Sequence, residues 1–272
     1  MRTLARKGTQ RRRPVGRAWL PAAALLALLA LAWELIADLG NTPEWLLPAP
    51  SAIVRAGIEA SPLLAGHFAQ TLLETVVGLL VSTLLGVSLA VAIDLSPVLK
   101  RALYPLLVIS QTIPTIALAP LLVVWFGFGL LPKVIVVVLV CFFPVAISTA
   151  QGLESADPDM LALLASMGAS RGQIFWKVRF PGAMPTAFGG LRIAATYSVI
   201  GAVISEWVGA SRGLGIFMIR SSNSYLTARL FAAIALASAL SIALFGLVIA
   251  FERLLLPWYF AAGRVERWEE VK

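Results

Sequence analysis

The sequence predicts an all-α membrane protein whose chain crosses the bilayer six times. Hydrophobic residues make up 59% of the 272 residues and charged residues only 13%, whereas an ordinary soluble domain is about 25% charged. The mean hydropathy is +0.88. A globular core of this size cannot bury so much apolar surface, so the bilayer must act as the solvent. Backbone N–H and C=O groups in lipid must bond within their own segment, which selects helices.

The apolar residues fall into six spans, each close to the ~20 residues that a helix needs to cross about 30 Å of hydrocarbon. We therefore expect one membrane domain over residues 18–252, between a basic N-terminal segment (1–17) and a C-terminal tail (253–272). The predicted spans are 18–39, 67–94, 103–126, 133–152, 186–209 and 229–252.

The distribution of Lys and Arg predicts the orientation of the chain. If the N-terminus is cytoplasmic, the segments on the cytoplasmic side hold 16 basic residues and the opposite segments hold 5. This positive-inside bias places both termini in the cytoplasm. A cleaved signal peptide is disfavoured, because the first span is long for one and several spans follow. The net charge of +8 is concentrated beside the membrane, which argues against a nucleic-acid partner.

The segment between spans four and five, residues 153–185, is called the glycine loop below. Asp157 is expected to cap a helix from about Pro158 to Met167, and Gly168 permits a reversal after it. Ser170 then begins a second helix, which Pro181 is expected to end. The loop suits docking of a soluble partner, although an amphipathic interfacial segment without a partner has a similar composition. The side chains expected to contact a partner are Leu163, Leu164, Met167, Arg171, Ile174, Phe175, Lys177 and Arg179.

Polar side chains inside the spans are candidates to line a pathway across the membrane. Prolines in span three free backbone carbonyls and can bend the helix. For a hydroxyl group, a hydrogen bond to a neighbouring helix is the simpler interpretation, at about 0.6 kcal/mol on average; for Gln111 and Glu206 a pathway or gate is favoured. The candidates are Gln111, Thr112, Ser148, Thr196, Tyr197 and Glu206, and the glycines expected to allow close helix contact are Gly78, Gly86, Gly189, Gly190 and Gly201.

Motifs for bond chemistry are missing from the sequence. No Walker A motif occurs, so the chain has no visible means of using ATP. There is also no His-Glu-x-x-His motif, no paired cysteine ligands and no nucleophile elbow. His67 is expected to be an interface residue, and Cys141 a small buried hydrophobic residue. We therefore predict no catalytic residue, no metal site and no cofactor in this chain.

The glycine loop resembles the EAA loop of ABC-importer permeases, which reads Glu-Ala-Ala, three residues, Gly, nine residues, Ile-x-Leu-Pro. Gly168 occupies the glycine position, and Val178, Phe180 and Pro181 occupy the last three defined positions. Ala162 stands where the acidic residue is usual, which is a departure from the pattern. The resemblance implies that the loop couples to an ATPase through Ala165, Ser166, Gly168, Ala169, Arg171 and Pro181.

Further segments are similar to the sulfonate, taurine and nitrate permease group of that superfamily, namely residues 110–114 and 119–129. Residues 131–134, 141–144 and 195–202, together with 110–114, look most like permeases assigned to thiamine-precursor pyrimidines. A riboflavin-importing relative is also similar. The resemblance therefore implies uptake of a hydroxymethylpyrimidine or aminopyrimidine, with taurine or another alkanesulfonate, nitrate and riboflavin as alternatives.

The family resemblance implies a type I ABC importer in a bacterial inner membrane. Two copies of the permease would form a homodimer around the pathway, and two ABC ATPase subunits, which bind ATP–Mg, would dock on the glycine loops. An extracytoplasmic solute-binding protein would deliver the solute. An ion-coupled secondary transporter would need ionisable relays and often repeats, but the sequence has isolated carboxylates and no obvious repeat. A membrane-embedded enzyme would need converging catalytic groups.

Overall fold

The computed structural model describes residues 20–40, 42–110 and 112–261, and every regular element in those ranges is helical. The predicted N-terminal segment 1–17 and most of the C-terminal tail lie outside the described residues. Five helical stretches are long and apolar enough to cross a membrane. They are α1 (Leu20–Leu39), α3 (Ser61–Leu95), α6 (Leu130–Glu154), the continuous stretch Arg171–Glu206 and α11 (Thr227–Leu255).

The sixth crossing is made by two shorter helices, α4 (Pro97–Ser110) and α5 (Thr115–Phe126). The span predicted over 103–126, with prolines that can bend it, is therefore divided between two helices. Pro114 has extended backbone angles, φ −63° and ψ 109°, and stands at the N-cap of α5. Proline lacks an N–H and disfavours the helical conformation in the residue before it. The expected bend is thus a complete break in the helix.

The remaining elements are short except α9, the long helix within the stretch Arg171–Glu206. Within the stretch from Arg171, a π-helical turn joins two α-helices. These elements are α2 (Pro50–Glu59), α7 (Pro158–Ser166), α8 (Arg171–Ile174), the π-turn (Phe175–Arg179), α9 (Phe180–Glu206) and α10 (Leu214–Asn223).

Helix α6 lies at the centre of the bundle, between α3 and α9. Helices α3 and α6 run in parallel, because Gly78 faces Val137 and Gly86 faces Val145 at the same offset. A Cβ atom on Gly86 would lie 2.9 Å from Val145 Cγ1, so only glycine allows this approach. Helix α9 runs antiparallel to α6. The bundle therefore has two ends, called here the loop end, which carries the glycine loop, and the cluster end, where Glu206 lies.

The predicted glycine contacts are mostly present. Gly190 abuts the Pro144 carbonyl of α6, and Gly201 lies within 3.4 Å of Val137 when a Cβ is added. Gly189 is the exception, because a Cβ there would meet nothing within 4 Å. Its predicted role in close packing is wrong, since consecutive helical residues point about 100° apart and only one can face α6.

The connections between helices fix which segments share an end. Lys100 at the start of α4 pairs with Glu154 at the end of α6, so both lie at the loop end. Arg192 of α9 lies 3.4 Å from Glu252 near the end of α11. Helices α3, α6 and α11 thus run towards the loop end, and α4, α5 and α9 run away from it.

Candidate functional site

Three local signals shape the glycine loop. The Asp157 side chain accepts a hydrogen bond from Asp159 N at 2.9 Å and caps α7. Gly168 has φ +83°, a conformation that favours glycine, and no atom lies within 4 Å of a Cβ built there. Ser170 and Gln173 form a capping box at the start of α8. The predicted cap, reversal and second cap are all confirmed.

The loop presents apolar side chains to its surroundings. Leu163 is 60% exposed and Met167 is 74% exposed. Trp176, which the sequence analysis did not single out, is 65% exposed beside the exposed Lys177. Helix α7 has no buried residue. Of the predicted coupling residues, Ala165, Ser166, Gly168 and Arg171 are exposed, and Ala169 and Pro181 are half-buried.

Two side chains expected to reach a partner point into the protein instead. Phe175 is buried against Leu153 and Ala183. Arg179 Nη2 donates to Asp94 Oδ1 at 2.6 Å and to the Leu153 carbonyl at 3.0 Å. The prediction that these two side chains contact a partner is therefore corrected. For Arg179, the last residue of the π-turn, the extra residue of that turn rotates the side chain relative to a regular α-helix.

Pro181 does not end the second helix, as the sequence analysis expected. It is the second residue of α9, and the helix continues from the π-turn without a gap. A proline inside a helix clashes with the carbonyl four residues earlier unless the helix widens there. The π-turn directly before α9 provides that widening.

A second polar group, called here the Glu206 cluster, lies at the opposite end of the bundle. It comprises the side chains of Thr71, Glu74, Lys133 and Glu206, all buried. Lys133 Nζ donates to Glu74 Oε1 at 2.7 Å, and the Gln70 amide donates to the same oxygen at 2.8 Å. Lys133 is one of the five basic residues that the sequence analysis places on the side away from the glycine loop, and its side chain is buried in the cluster rather than facing water.

The Glu206 cluster holds the loop that precedes α10. Thr71 Oγ1 donates to Glu206 Oε1 at 2.6 Å and accepts from Leu214 N at 2.8 Å. Gly215 N donates to Glu206 Oε2. His67 Nδ1 lies 3.0 Å from Gly213 N. The spacing of residues 67, 71 and 74 on one helical face was the available sequence signal for this cluster.

The other predicted pathway residues do not form one site with Glu206. Thr112 is exposed beside the break in span three, and its hydroxyl donates to the Ile109 carbonyl at 2.7 Å. Thr196 is exposed on α9, and Ser148 is half-buried. Gln111 lies outside the described residues. Tyr197 borders a cavity of about 450 Å³, whose other lining residues are Ile113, Thr115, Leu118, Leu139, Val140, Phe142, Phe143 and Pro144.

The architecture is that of a polytopic membrane protein with an exposed loop at one end of its bundle, and comparison with known proteins identifies its class. Residues 82–257 match the model of the binding-protein-dependent transport system inner membrane component. The chain belongs to this family, and its predicted membership of the ABC-importer permeases is confirmed. Members of the family are multi-pass inner-membrane proteins, and the relatives below are transport permeases rather than enzymes.

Several relatives are similar over most of their length. A formylaminopyrimidine transport permease of Halalkalibacterium halodurans, ThiX, is 40% identical over 85% of this chain and 92% of its own. The taurine transport permease TauC of Escherichia coli is 33% identical over 86% of this chain and 88% of its own. The riboflavin transport permease RibX of Chloroflexus aurantiacus is 32% identical over 86% of this chain and 88% of its own.

One solved structure has the same fold. The crystal structure of an amino acid ABC transporter with histidines superposes with a TM-score of 0.60, covering 72% of this chain and 95% of that one. Its sequence identity is 18%, so the likeness concerns the fold alone. The all-α permease fold predicted from the sequence is confirmed.

Proposed function

We propose that this chain is the membrane-spanning permease subunit of an ATP-driven importer, and that its glycine loop receives a soluble ATPase. The observation that carries the proposal is the exposure of Leu163, Met167 and Trp176 on a loop whose backbone is already fixed by two caps and Gly168. Exposed apolar side chains mark interaction surfaces. A preformed loop loses little further conformational entropy when it binds.

The loop end of the bundle faces the cytoplasm in this proposal. The segments that the sequence analysis assigns to the cytoplasmic side, residues 1–17 among them, hold most of the basic residues, as the positive-inside rule requires. The last residues of helix α11 lie at the loop end, and α1 runs away from it, since Trp33 in the second half of α1 packs against Phe231 near the start of α11. Both termini are therefore cytoplasmic in this proposal. The domain boundaries follow, with the permease over 18–252 between cytoplasmic segments 1–17 and 253–272. A solute-binding protein would approach the cluster end from outside.

The work of the permease is a conformational equilibrium rather than bond chemistry. Two copies of the chain pair around the pathway, and two ATPase subunits hold ATP–Mg, so this chain needs no cofactor of its own. ATP binding draws the two glycine loops together and favours an outward-open pathway, and hydrolysis resets it. Each partner shifts the equilibrium only by its difference in affinity for the two states.

A thiamine-precursor pyrimidine is the solute we propose. Support comes from the identity with the formylaminopyrimidine permease and from the cavity beside the broken span. The rings of Phe142, Phe143 and Tyr197 line that cavity of about 450 Å³, and aromatic rings favour contact with a planar aromatic solute. The relatives named for taurine and riboflavin supply the competing solutes.

Uptake by the reconstituted complex tests the whole proposal. The permease would be placed in liposomes with the ATPase and binding protein encoded beside it, and uptake of a labelled aminopyrimidine, taurine and riboflavin would be measured with and without ATP. ATP-dependent uptake of the pyrimidine alone supports mechanism and solute. ATP-dependent uptake of taurine or riboflavin replaces the solute only. Uptake that follows a proton gradient and ignores ATP overturns the importer mechanism.

The Gly168→Asp variant tests the docking surface directly. The substitution adds a charge and a side chain at φ +83°, in the middle of the proposed ATPase contact. We expect the ATPase to be lost from the purified complex, with uptake falling by about tenfold or more. Co-purification on an affinity tag placed on the permease measures the loss.

Two matched variants separate the effect of the added charge at the loop from the effect of backbone strain at Gly168. Gly66→Asp introduces the same side chain at the opposite end of the bundle, where a Cβ meets nothing within 4 Å, and should leave the ATPase bound. Gly168→Ala keeps the backbone strain without the charge and should weaken binding less than Gly168→Asp. Normal ATPase retention in Gly168→Asp would sink the docking proposal.

A further inference from the structure

The glycine loop reaches the bundle through the π-turn, and this turn is fixed to two other helices. Arg179, its last residue, bonds to Asp94 near the end of α3 and to the Leu153 carbonyl near the end of α6. Phe175, its first residue, packs against Leu153. One guanidinium therefore joins the start of α9 to the loop-end termini of α3 and α6.

The pair between Asp94 and Arg179 is mostly removed from solvent. The side chain of Asp94 is 6% exposed and that of Arg179 is 26% exposed. Burying an ion pair costs desolvation energy, so a well-packed apolar pair of similar volume is often as stable or more stable. Stability alone is therefore a weak reason for two charges at this junction.

One donor and one acceptor of the pair are left without a hydrogen bond within the part of the chain that the structure describes. Arg179 Nε and Asp94 Oδ2 are both buried, and neither has a hydrogen-bond partner among the described residues. Arginine and carboxylate can form two parallel bonds, and here the carboxylate receives one, from Arg179 Nη2. The junction thus has a free donor and a free acceptor for a second arrangement without any new partner.

We propose that the Asp94–Arg179 pair transmits displacement of the glycine loop to α3 and α6, with Arg179 as a positioning residue and the π-turn as the point of rotation. This inference rests on the proposed function, because it assumes that an ATPase moves the loop. Without the pair, a pull on the loop would reach α6 and α3 only through apolar packing, including that of Phe175 on Leu153. With it, the ends of three of the crossing helices move together.

The Asp94→Asn variant tests this link in the complete complex of permease, ATPase and binding protein. The amide has nearly the same shape but removes the charge, so the loop surface is untouched. We expect the ATPase to co-purify as with the original chain, while solute imported per ATP hydrolysed falls by about fivefold or more. The exchanged double variant Asp94→Arg/Arg179→Asp should recover part of that ratio. A structural role alone would reduce folded protein without changing the ratio.

Glu154→Gln is the matched control, because it breaks an exposed ion pair with Lys100 at the same end and should leave the ratio unchanged. If Asp94→Asn does not fold, Arg179→Lys replaces it, since lysine keeps the charge but not the fork that also reaches Leu153. An unchanged ratio in the folded variant overturns the inference. Loss of the ATPase from the original complex overturns the proposed function instead, so the two failures are distinguishable.

Discussion

Helix α3 carries two buried carboxylates, Glu74 in its first half and Asp94 next to its last residue, and the two are held differently. At the cluster end, Glu74 is fully buried and pairs with Lys133, whose side chain is 9% exposed. At the loop end, Asp94 pairs with Arg179, which is 26% exposed and belongs to the π-turn of the glycine loop. Both ion pairs are short, at 2.7 Å and 2.6 Å.

The difference lies in what each pair is attached to. Lys133 stands near the start of a long, central helix, and the neighbouring groups of the Glu206 cluster hold the backbone before α10 in place. Arg179 stands between an exposed loop and the bundle. We infer that the pair at the cluster end fixes the packing of the helices, whereas the pair at the loop end moves with the loop. Variants at the cluster end should therefore lower the Tm, whereas variants at the loop end should lower the amount of solute imported per ATP.

The largest expected effect is at Lys133. The Lys133→Met variant leaves Glu74 buried without its cation, and breaking a buried pair in this way costs about 3–5 kcal/mol. We expect a large fall in the Tm of the purified protein in detergent. The double variant Lys133→Met/Glu74→Met should recover much of the loss, because Glu74 is no longer buried without its cation. If Lys133→Met kept its Tm but imported less solute per ATP, the pair at the cluster end would serve transport rather than helix packing.

A smaller effect is expected at Thr71. The Thr71→Val variant keeps the shape but removes the hydroxyl between Glu206 Oε1 and Leu214 N. Leaving a buried donor or acceptor unsatisfied costs about 1–3 kcal/mol, so Tm should fall by less than in Lys133→Met. Thr83→Val on the same helix is the control, because its hydroxyl only donates to the Leu79 carbonyl one turn earlier. Equal losses in both variants would mean that the cluster contributes nothing specific.

Local signals predicted much of this molecule, and long-range pairing accounts for what they missed. The spans, the Asp157 cap and the reversal at Gly168 each depend on a few neighbouring residues, and the sequence contains them. The partner of Glu74 depends on the register between α3 and α6, which no local pattern encodes. The inward direction of Arg179 depends on the π-turn that it ends, which the 3.6-residue period does not reveal.

The break in span three also shows what local sequence signals cannot predict. Pro114 and Pro120 gave the same signal in the sequence, yet α5 runs through Pro120 and begins after Pro114. A proline ends a helix only where no neighbouring structure tolerates the lost hydrogen bond. Which proline breaks the helix is thus decided by packing around it, and Ala119, next to Pro120, is buried in that packing.

The smallest effect is expected at Lys100. This variant tests whether burial or distance decides how much an ion pair stabilises the protein. Its ion pair with Glu154 is 2.7 Å long, the same length as the pair between Lys133 and Glu74, but the two side chains are 47% and 49% exposed. Water and salt screen such a pair, so Lys100→Ala should cost less than about 1 kcal/mol. Tm would be compared with that of Lys133→Met at low and high salt. A loss as large as in Lys133→Met would show that the distance between the charges, rather than their burial, sets the contribution of an ion pair in this protein.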